Sequence, residues 1–247
     1  METDNPRLWE IDCARGIAIL MMVVFHTVFD LGFFSIVPVN TTSGFWRYFA
    51  YATAGLFLLI VGISLVVSHA RAQKTLAGLQ LAKKYFIRGA GIVALGLVVT
   101  LATWLYLHDG YVVFGILHLI GVSVMLSPFF FRFRRWNIAL GVVCLALGFL
   151  VYGLHGPAFL LPLGIMPEGF TSVDYTPLFP WFGVVLIGLG MGDVLYHGGN
   201  RHFPIRPFPD LFMVPLSFIG RHSLLIYLVH QPVIILLLGL ASATPVL

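Results

Sequence analysis

Long apolar runs separated by short polar connections dominate the chain. Each run is hydrophobic on all sides, and a helix needs about 20 such residues to cross the hydrocarbon of a bilayer. The pattern therefore predicts an all-α polytopic membrane helix bundle with about seven transmembrane helices. The predicted spans are Gly16–Phe34, Tyr48–Ser68, Phe86–Leu107, Tyr111–Phe130, Trp136–Leu154, Leu178–Tyr196 and Gly220–Ala241. Two shorter pieces, Phe159–Met166 and Leu211–Phe218, are predicted to be re-entrant or interfacial.

Composition excludes the soluble alternatives. Of the 247 residues, 59% are hydrophobic and 10% are charged, whereas a soluble domain carries about 25% charged residues. Disorder is excluded as well, because it needs low hydrophobicity and high charge. No stretch is long enough for a separate soluble domain, so residues 1–247 are predicted to form a single integral-membrane domain. No cleavable signal peptide is expected, because the first 14 residues are polar.

The net charge of +4 reflects topology. Lys and Arg residues gather in alternate connections, beginning with Arg7 and Arg15 before the first span. The positive-inside rule then predicts a cytoplasmic N-terminus and an external C-terminus in a multi-pass protein of the cell membrane. No nucleic-acid partner is indicated. The two cysteines, Cys13 and Cys144, are not expected to pair, and no ligand spacing indicates a metal.

His26 and Asp30 are titratable residues inside the first predicted span. Such side chains cost several kcal/mol in hydrocarbon, so each needs a reason. Their four-residue spacing places them on one helix face, where the carboxylate would hold one ring nitrogen and leave the other as a general base. The alternative is a structural polar pair that joins the first helix to a neighbour.

Two further predicted spans carry polar groups. His118 lies between Gly115 and Gly121 in the fourth span, and His230 with Gln231 precedes Pro232 in the last. Pro232 would free the backbone carbonyl of Leu228 and so form a polar pocket with the imidazole and the amide. The alternatives are an interhelical hydrogen bond for His118 and a locally satisfied proline kink for His230. We expect the histidines and Asp30 to form one site open to the external side.

A second set of candidates is cationic and lies at the predicted cytoplasmic ends of the helices. It either binds an anionic ligand or serves only topology and snorkelling. Its members are Arg15, which is spaced to pair with Asp12, and Lys84, Arg88, Arg221 and His222. At the external entry to the sixth span, Tyr175 and Trp181 are either an interfacial anchor or a surface on which a substrate stacks. Asp193, at the inner end of that span, is expected to pair with an arginine.

Four segments carry a resemblance to a known family: Arg7–Met22, Phe114–Ser123, Asp174–Gly183 and Gly220–Pro232. Together they resemble the DUF1624 family, a prokaryotic branch similar to the catalytic domain of heparan-α-glucosaminide N-acetyltransferase. The resemblance spans nearly the whole chain. It implies a transmembrane acyltransferase that takes acetyl groups from cytoplasmic acetyl-CoA and passes them to a sugar on the other face. The cationic set would then hold the CoA phosphates.

The chain departs from the family pattern at the catalytic histidine. The resemblance implies an asparagine at the position of His26 and a catalytic histidine some residues later, but Val37–Trp46 contains no histidine. The role is therefore not carried over by the resemblance, and His26 is assigned on physical grounds.

The leading hypothesis is an acetyl-CoA-dependent membrane acetyltransferase acting on an amine or hydroxyl of an extracytoplasmic sugar or glycan. His26, oriented by Asp30, would deprotonate the acceptor or carry the acetyl group, and His118 or His230 with Gln231 would stabilise the oxyanion. One alternative is a small-molecule transporter or flippase with a protonatable His–Asp pair. Another is a haem protein ligated by two of the three histidines. The sequence leaves open which histidine is the base and whether the chain works as a homodimer.

Overall fold

The computed structural model describes residues 8–206 and 209–242. Arg7, counted above among the cytoplasmic charges, lies outside them. The described residues form eight α-helices and no β-strand, which confirms the predicted all-α class. The helices are α1 (Trp9–Phe33), α2 (Gly44–Ala72), α3 (Gly78–Leu107), α4 (Ile116–Phe130), α5 (Asn137–Val151), α6 (Leu178–Leu195), α7 (Asp210–Arg221) and α8 (Ser223–Ser242).

Six helical stretches of the described chain are long and apolar enough to cross a membrane. The difference from the predicted seven comes from the fourth and fifth spans, which are α4 and α5 within one apolar stretch of 36 residues, Ile116–Val151. Each of these helices has 15 residues, or about 22 Å, which is shorter than the roughly 30 Å of hydrocarbon. The orientation of the chain ends stays a prediction.

A break in backbone conformation separates α4 from α5. A 3₁₀ segment, Phe131–Trp136, joins the two helices, and Arg134 within it has a φ of 50°. The amide of Asn137 donates to the carbonyls of Phe130 and Arg134, at 3.0 and 2.9 Å. Arg134 also donates to the carboxylate of Asp193 at 3.3 Å, which confirms the expected arginine partner of Asp193.

The chain divides into two compact units. The first unit comprises residues 1–57 and 205–247, with α1, α7, α8 and the start of α2. Its helix pairs meet through small residues: Gly16 lies against the backbone of Leu216, and Gly220 lies against the backbone carbonyl of Asp12. Cys13 lies 3.1 Å from Ser217 in the same contact. Close backbone approach through glycine is a common way for helices to associate in membranes.

The second unit comprises residues 58–204. It holds the rest of α2 with α3, α4, α5 and α6, and glycines again stand where the helices touch. Gly89 of α3 faces Gly121 of α4, and Gly141 of α5 faces Gly183 of α6. Two short apolar pieces were predicted to be re-entrant or interfacial. The first, Phe159–Met166, overlaps a 3₁₀ helix of this unit, Ala158–Leu163, and the second, Leu211–Phe218, lies in α7 of the first unit.

Candidate functional site

Four of the five predicted catalytic side chains meet in the first unit. His26 and Asp30 come from α1, and His230 and Gln231 come from α8. We call these four residues the His–Gln cluster. The two pairs are about 200 residues apart in the sequence, and the packing of α1 against α8 brings them together. The apolar helix faces around the cluster explain why these side chains find one another, since hydrocarbon offers no other polar partners.

Asp30 has a different partner from the one that its spacing predicts. Its two carboxylate oxygens accept from the amide Nε2 of Gln231, at 2.8 and 2.9 Å. The Asp30 side chain is almost wholly buried, with 2% of its surface exposed. Asp30 therefore positions Gln231, and the predicted hold of Asp30 on the His26 ring is not the contact that the structure contains.

His26 contacts the other histidine of the cluster. The rings of His26 and His230 lie 4.9 Å apart between centroids, at an angle of 63°. His230 Nδ1 lies 2.6 Å from the backbone carbonyl of Tyr227. A carbonyl only accepts, so Nδ1 carries the ring proton, and the neutral ring keeps its lone pair on Nε2. The carbonyl that binds the ring is that of Tyr227, and not that of Leu228, which Pro232 was expected to free.

Two buried acceptors of the cluster have no hydrogen-bond partner in the described part of the chain. They are Nε2 of His230 and Oε1 of Gln231. Leaving a polar atom buried and unpaired costs about 1–3 kcal/mol, and most buried polar atoms are paired. Adjacent residues that both carry such an atom indicate a place where a ligand donates hydrogen bonds.

The same geometry does not suit a haem between His26 and His230. Two imidazoles on one iron lie with their centroids roughly 6 Å apart, because each metal–nitrogen bond is about 2 Å long. The observed 4.9 Å leaves too little room for a metal and its macrocycle.

The fifth predicted catalytic residue, His118, belongs to the second unit. It is 4% exposed, and its Nδ1 accepts from the backbone N–H of Gly115 at 3.3 Å. The next N–H, that of Ile116, donates to Asp174 at 3.0 Å. The orphan donors at the start of α4 are thus satisfied by two side chains, which is helix capping.

Asp174 was not among the predicted site residues. Its other oxygen accepts from the hydroxyl of Thr176 at 2.8 Å. Removal from water raises the pKa of the Asp174 carboxyl, while the bonds from Ile116 and Thr176 and the nearby His118 act in the opposite direction. An aspartate two residues before a threonine is the sequence signal of a local turn. Its capping of a helix start 58 residues away has no sequence signal.

The cationic candidates of the first unit surround one carboxylate. Arg15 donates to Asp12 at 3.1 Å, which confirms the predicted pair, and to the carbonyl of Gly220 at 3.3 Å. Arg221 lies 3.5 Å from the other oxygen of Asp12. Both guanidinium groups therefore bind the same carboxylate. His222 is exposed, and its Nδ1 lies 2.9 Å from the carbonyl of Phe218.

The remaining candidates lie in the second unit. Lys84 and Arg88 are exposed on α3, and the Lys84 ammonium lies 5.8 Å from the ring centre of Tyr85. Tyr175 donates to the carbonyl of Leu161 at 2.7 Å, and burial raises the pKa of its phenol to about 12. This hydrogen bond ties the segment before α6 to the 3₁₀ helix that contains Leu161. Trp181 lies on the first turn of α6 and is partly exposed.

The helices and the His–Gln cluster together define an integral membrane protein with a buried polar centre. Residues 7–232 match a family model that is described as heparan-alpha-glucosaminide N-acetyltransferase, catalytic. The chain belongs to this family, which confirms the resemblance drawn from the sequence and makes the protein a membrane acetyltransferase. Neither the curated proteins nor the solved structures contain a match to the chain.

Proposed function

We propose that the protein moves an acetyl group from cytoplasmic acetyl-CoA to an amine or hydroxyl of an extracytoplasmic sugar or glycan, in the cell membrane. Family membership supports the transfer of acetyl groups. The location of the chemistry rests on two acceptors of the His–Gln cluster, His230 Nε2 and Gln231 Oε1, which have no partner in the part of the chain that the structure describes.

In the proposed reaction, His230 is the general base. The acceptor nitrogen or oxygen attacks the acetyl carbonyl and gives its proton to His230 Nε2, and the carbon–sulfur bond then breaks. The CoA thiolate leaves and takes up the proton from the imidazolium. The Tyr227 carbonyl supports this assignment, because it holds the proton at Nδ1 and keeps the Nε2 lone pair available. His26, whose ring faces His230, is the second candidate for the base or for an acetyl carrier.

Gln231 bears on the choice between an amine and a hydroxyl. Asp30 engages the amide nitrogen Nε2 of Gln231, while the carbonyl oxygen Oε1, an acceptor, is buried with no partner among the described residues. This orientation argues against the predicted part of Gln231 in stabilising an oxyanion. Two acceptors match the two N–H bonds of a neutral primary amine, whereas a hydroxyl satisfies only one of them. The proposal therefore favours N-acetylation.

The CoA end of the donor is assigned to the cationic candidates. Arg15, Arg221 and His222 of the first unit carry the charges that phosphates prefer. Lys84 and Arg88 of the second unit are separate candidates for an anionic ligand. Arg15 and Arg221 both contact Asp12, which places two guanidinium groups side by side and supports these arginines in particular. Tyr175 and Trp181 of the second unit stay candidates for contact with a sugar.

A transfer assay on the purified full chain in nanodiscs tests the function. Radiolabelled acetyl-CoA is supplied with glucosamine or with glucose, which lacks the amine. Transfer to glucosamine that exceeds transfer to glucose supports the proposal, and equal transfer overturns the preference for an amine. Absence of transfer to any sugar amine or hydroxyl, together with proton-coupled sugar uptake into proteoliposomes, would replace the enzyme with a transporter.

A further inference from the structure

Positive charge gathers at one end of the second unit. Residues 58–204, all of which the structure describes, contain nine Lys and Arg side chains, and these lie between α2 and α3, in the first turns of α3, between α4 and α5, and after α6. The acids at the opposite ends of the helices are Asp109, Glu168 and Asp174. At the positive end these residues include one carboxylate, that of Asp193, which Arg134 binds at 3.3 Å. Most of the positive charge at this end is therefore not neutralised within the unit.

A contact between two rings brings cations from two elements of this end together. Tyr85 of α3 is fully buried, with 0% of its surface exposed, and its ring lies 5.3 Å from that of Phe131 between centroids. Phe131 begins the 3₁₀ segment that joins α4 to α5. Lys84 comes directly before Tyr85, and Arg132 comes directly after Phe131. The two cations therefore flank one buried aromatic contact.

Helix spacing adds a third cation to the same side of α3. Arg88 follows Lys84 by four residues, so the two side chains are neighbours on one face. We call Lys84, Arg88 and Arg132 the cationic corner. All three side chains are exposed, and none of them takes part in an ion pair among the described residues. Lys83, by contrast, stands about 160° around the helix from Tyr85 and so lies on the opposite side of α3.

The face of α3 that carries Lys84 and Arg88 becomes apolar farther along the helix. Leu95 and Val98 follow Lys84 by about three and four helical turns and continue this face. Leu95 is partly exposed, and Val98 is 59% exposed. A soluble anion has a use for the cations but not for the apolar face. A phospholipid has a use for both, because its phosphate and its acyl chains are parts of one molecule.

We infer that the cationic corner binds the phosphate of an anionic phospholipid, and that an acyl chain of this lipid lies along α3 over Leu95 and Val98. The two guanidinium groups donate hydrogen bonds to the phosphate oxygens, and the Lys84 ammonium supplies a point charge. Basic pockets between membrane helices bind such headgroups. The positive-inside rule accounts for cations at this end, but it does not require them to meet on one side of a helix. The inference does not depend on the proposed acetyl transfer.

Thermal unfolding of the full chain in nanodiscs tests the class of ligand. Nanodiscs of phosphatidylcholine are compared with nanodiscs that contain phosphatidylcholine and phosphatidylglycerol in equal parts. We expect a higher Tm with phosphatidylglycerol, because a ligand that binds only the folded state stabilises it. Equal Tm values overturn the inference. Inorganic phosphate added to the phosphatidylcholine nanodiscs should leave Tm unchanged, and a rise as large as that with phosphatidylglycerol would replace the lipid with a soluble anion.

Native mass spectrometry of the full chain tests the residues, since it counts the lipids that stay bound. In the double variant Arg88→Gln with Arg132→Gln, each element loses one guanidinium group. We expect retained phosphatidylglycerol to fall roughly 10–30-fold, because each cation near a headgroup contributes about 1 kcal/mol and about 1.4 kcal/mol corresponds to tenfold.

The matched control also removes two exposed cations from the same end of the unit. Lys74→Gln with Lys83→Gln changes the net charge equally but leaves the cationic corner intact. This control should retain as much phosphatidylglycerol as the wild type. An equal loss in both double variants would show a general attraction of charge and overturn the site. If the arginine double variant does not fold, Lys84→Gln decides instead: it should lower the retained lipid, and unchanged retention contradicts the inference.

Discussion

The two units of the protein use buried polar side chains in different ways. In the first unit, Asp30 binds Gln231 and His26 faces His230, so side chains of one helix meet side chains of another. In the second unit, Asp174 and His118 bind backbone N–H groups at the start of α4. Within the described ranges, Nε2 of His230 and Oε1 of Gln231 have no partner in the first arrangement, and Nε2 of His118 has none in the second.

The difference separates residues that build the fold from residues that are available for chemistry. A side chain that caps a helix has part of its bonding capacity committed to the backbone, and its loss destabilises the protein. A buried polar atom without a hydrogen-bond partner destabilises the folded protein, so a role in folding does not account for it. The comparison therefore ranks His230 above Asp174 for activity and Asp174 above His230 for stability.

Removal of the proposed base should have the largest effect. His230→Gln is expected to lower kcat/KM by about 10²–10⁴-fold, the usual contribution of a general base, measured as acetyl transfer in nanodiscs. His69→Gln is the matched control, because His69 of α2 is another partly buried histidine and its Nδ1 is buried with no partner among the described residues. We expect it to retain wild-type activity. An equal loss in both variants would contradict a special position for His230.

Gly220→Ala tests whether the cluster depends on close helix packing in the first unit. An added Cβ would collide with the backbone carbonyl of Asp12, and α7 must then move away from α1. We expect a loss of about 1–3 kcal/mol in the free energy of unfolding, measured by thermal or denaturant unfolding in detergent. Gly91→Ala, where nothing lies within 4 Å of the added carbon, is the control, and its stability should not fall.

Exchange of the Asp30–Gln231 pair tests whether the first unit depends on the hydrogen bond between these two side chains. Asp30→Asn should lower the free energy of unfolding by about 1–2 kcal/mol and the rate of acetyl transfer roughly tenfold, because the charged acceptor of the Gln231 amide is lost. In the double variant Asp30→Asn with Gln231→Glu, the amide and the carboxylate trade places and the hydrogen bond returns. We expect partial recovery of stability. Strictly additive losses in a double-mutant cycle would show that the two residues do not act together.

Asp174→Asn should have the smallest effect, confined to stability and dependent on pH. Since burial raises the pKa of Asp174 in the folded protein, the folded state binds the proton more tightly than the unfolded state. This stabilisation is complete below the ordinary pKa of about 4 and is lost as pH rises through the raised pKa.

The corresponding measurement is Tm against pH for the wild type and Asp174→Asn. The wild type should lose stability with rising pH over that acidic interval, whereas Asp174→Asn should not show this component and should lose about 1 kcal/mol of capping. Parallel profiles for the two proteins would mean that Asp174 does not titrate as its burial requires.

Contacts within one helix were predictable from spacing. Arg15 and Asp12 stand three residues apart and form the expected ion pair, and the apolar runs predicted the all-α membrane class. The count of spans was less secure, because a run of apolar residues does not show where Arg134 turns the backbone. Family membership was likewise visible in four sequence segments.

The amino-acid sequence shows which side chains are polar inside apolar segments, because hydrocarbon tolerates so few of them. The partners of these side chains follow from the packing of the helices. Asp30 could reach His26 on its own helix, yet it binds Gln231, which stands 201 residues away. Helix periodicity fixes neighbours within a helix, but the packing of α1 on α8, and of the Asp174 loop on the start of α4, depends on contacts between distant segments.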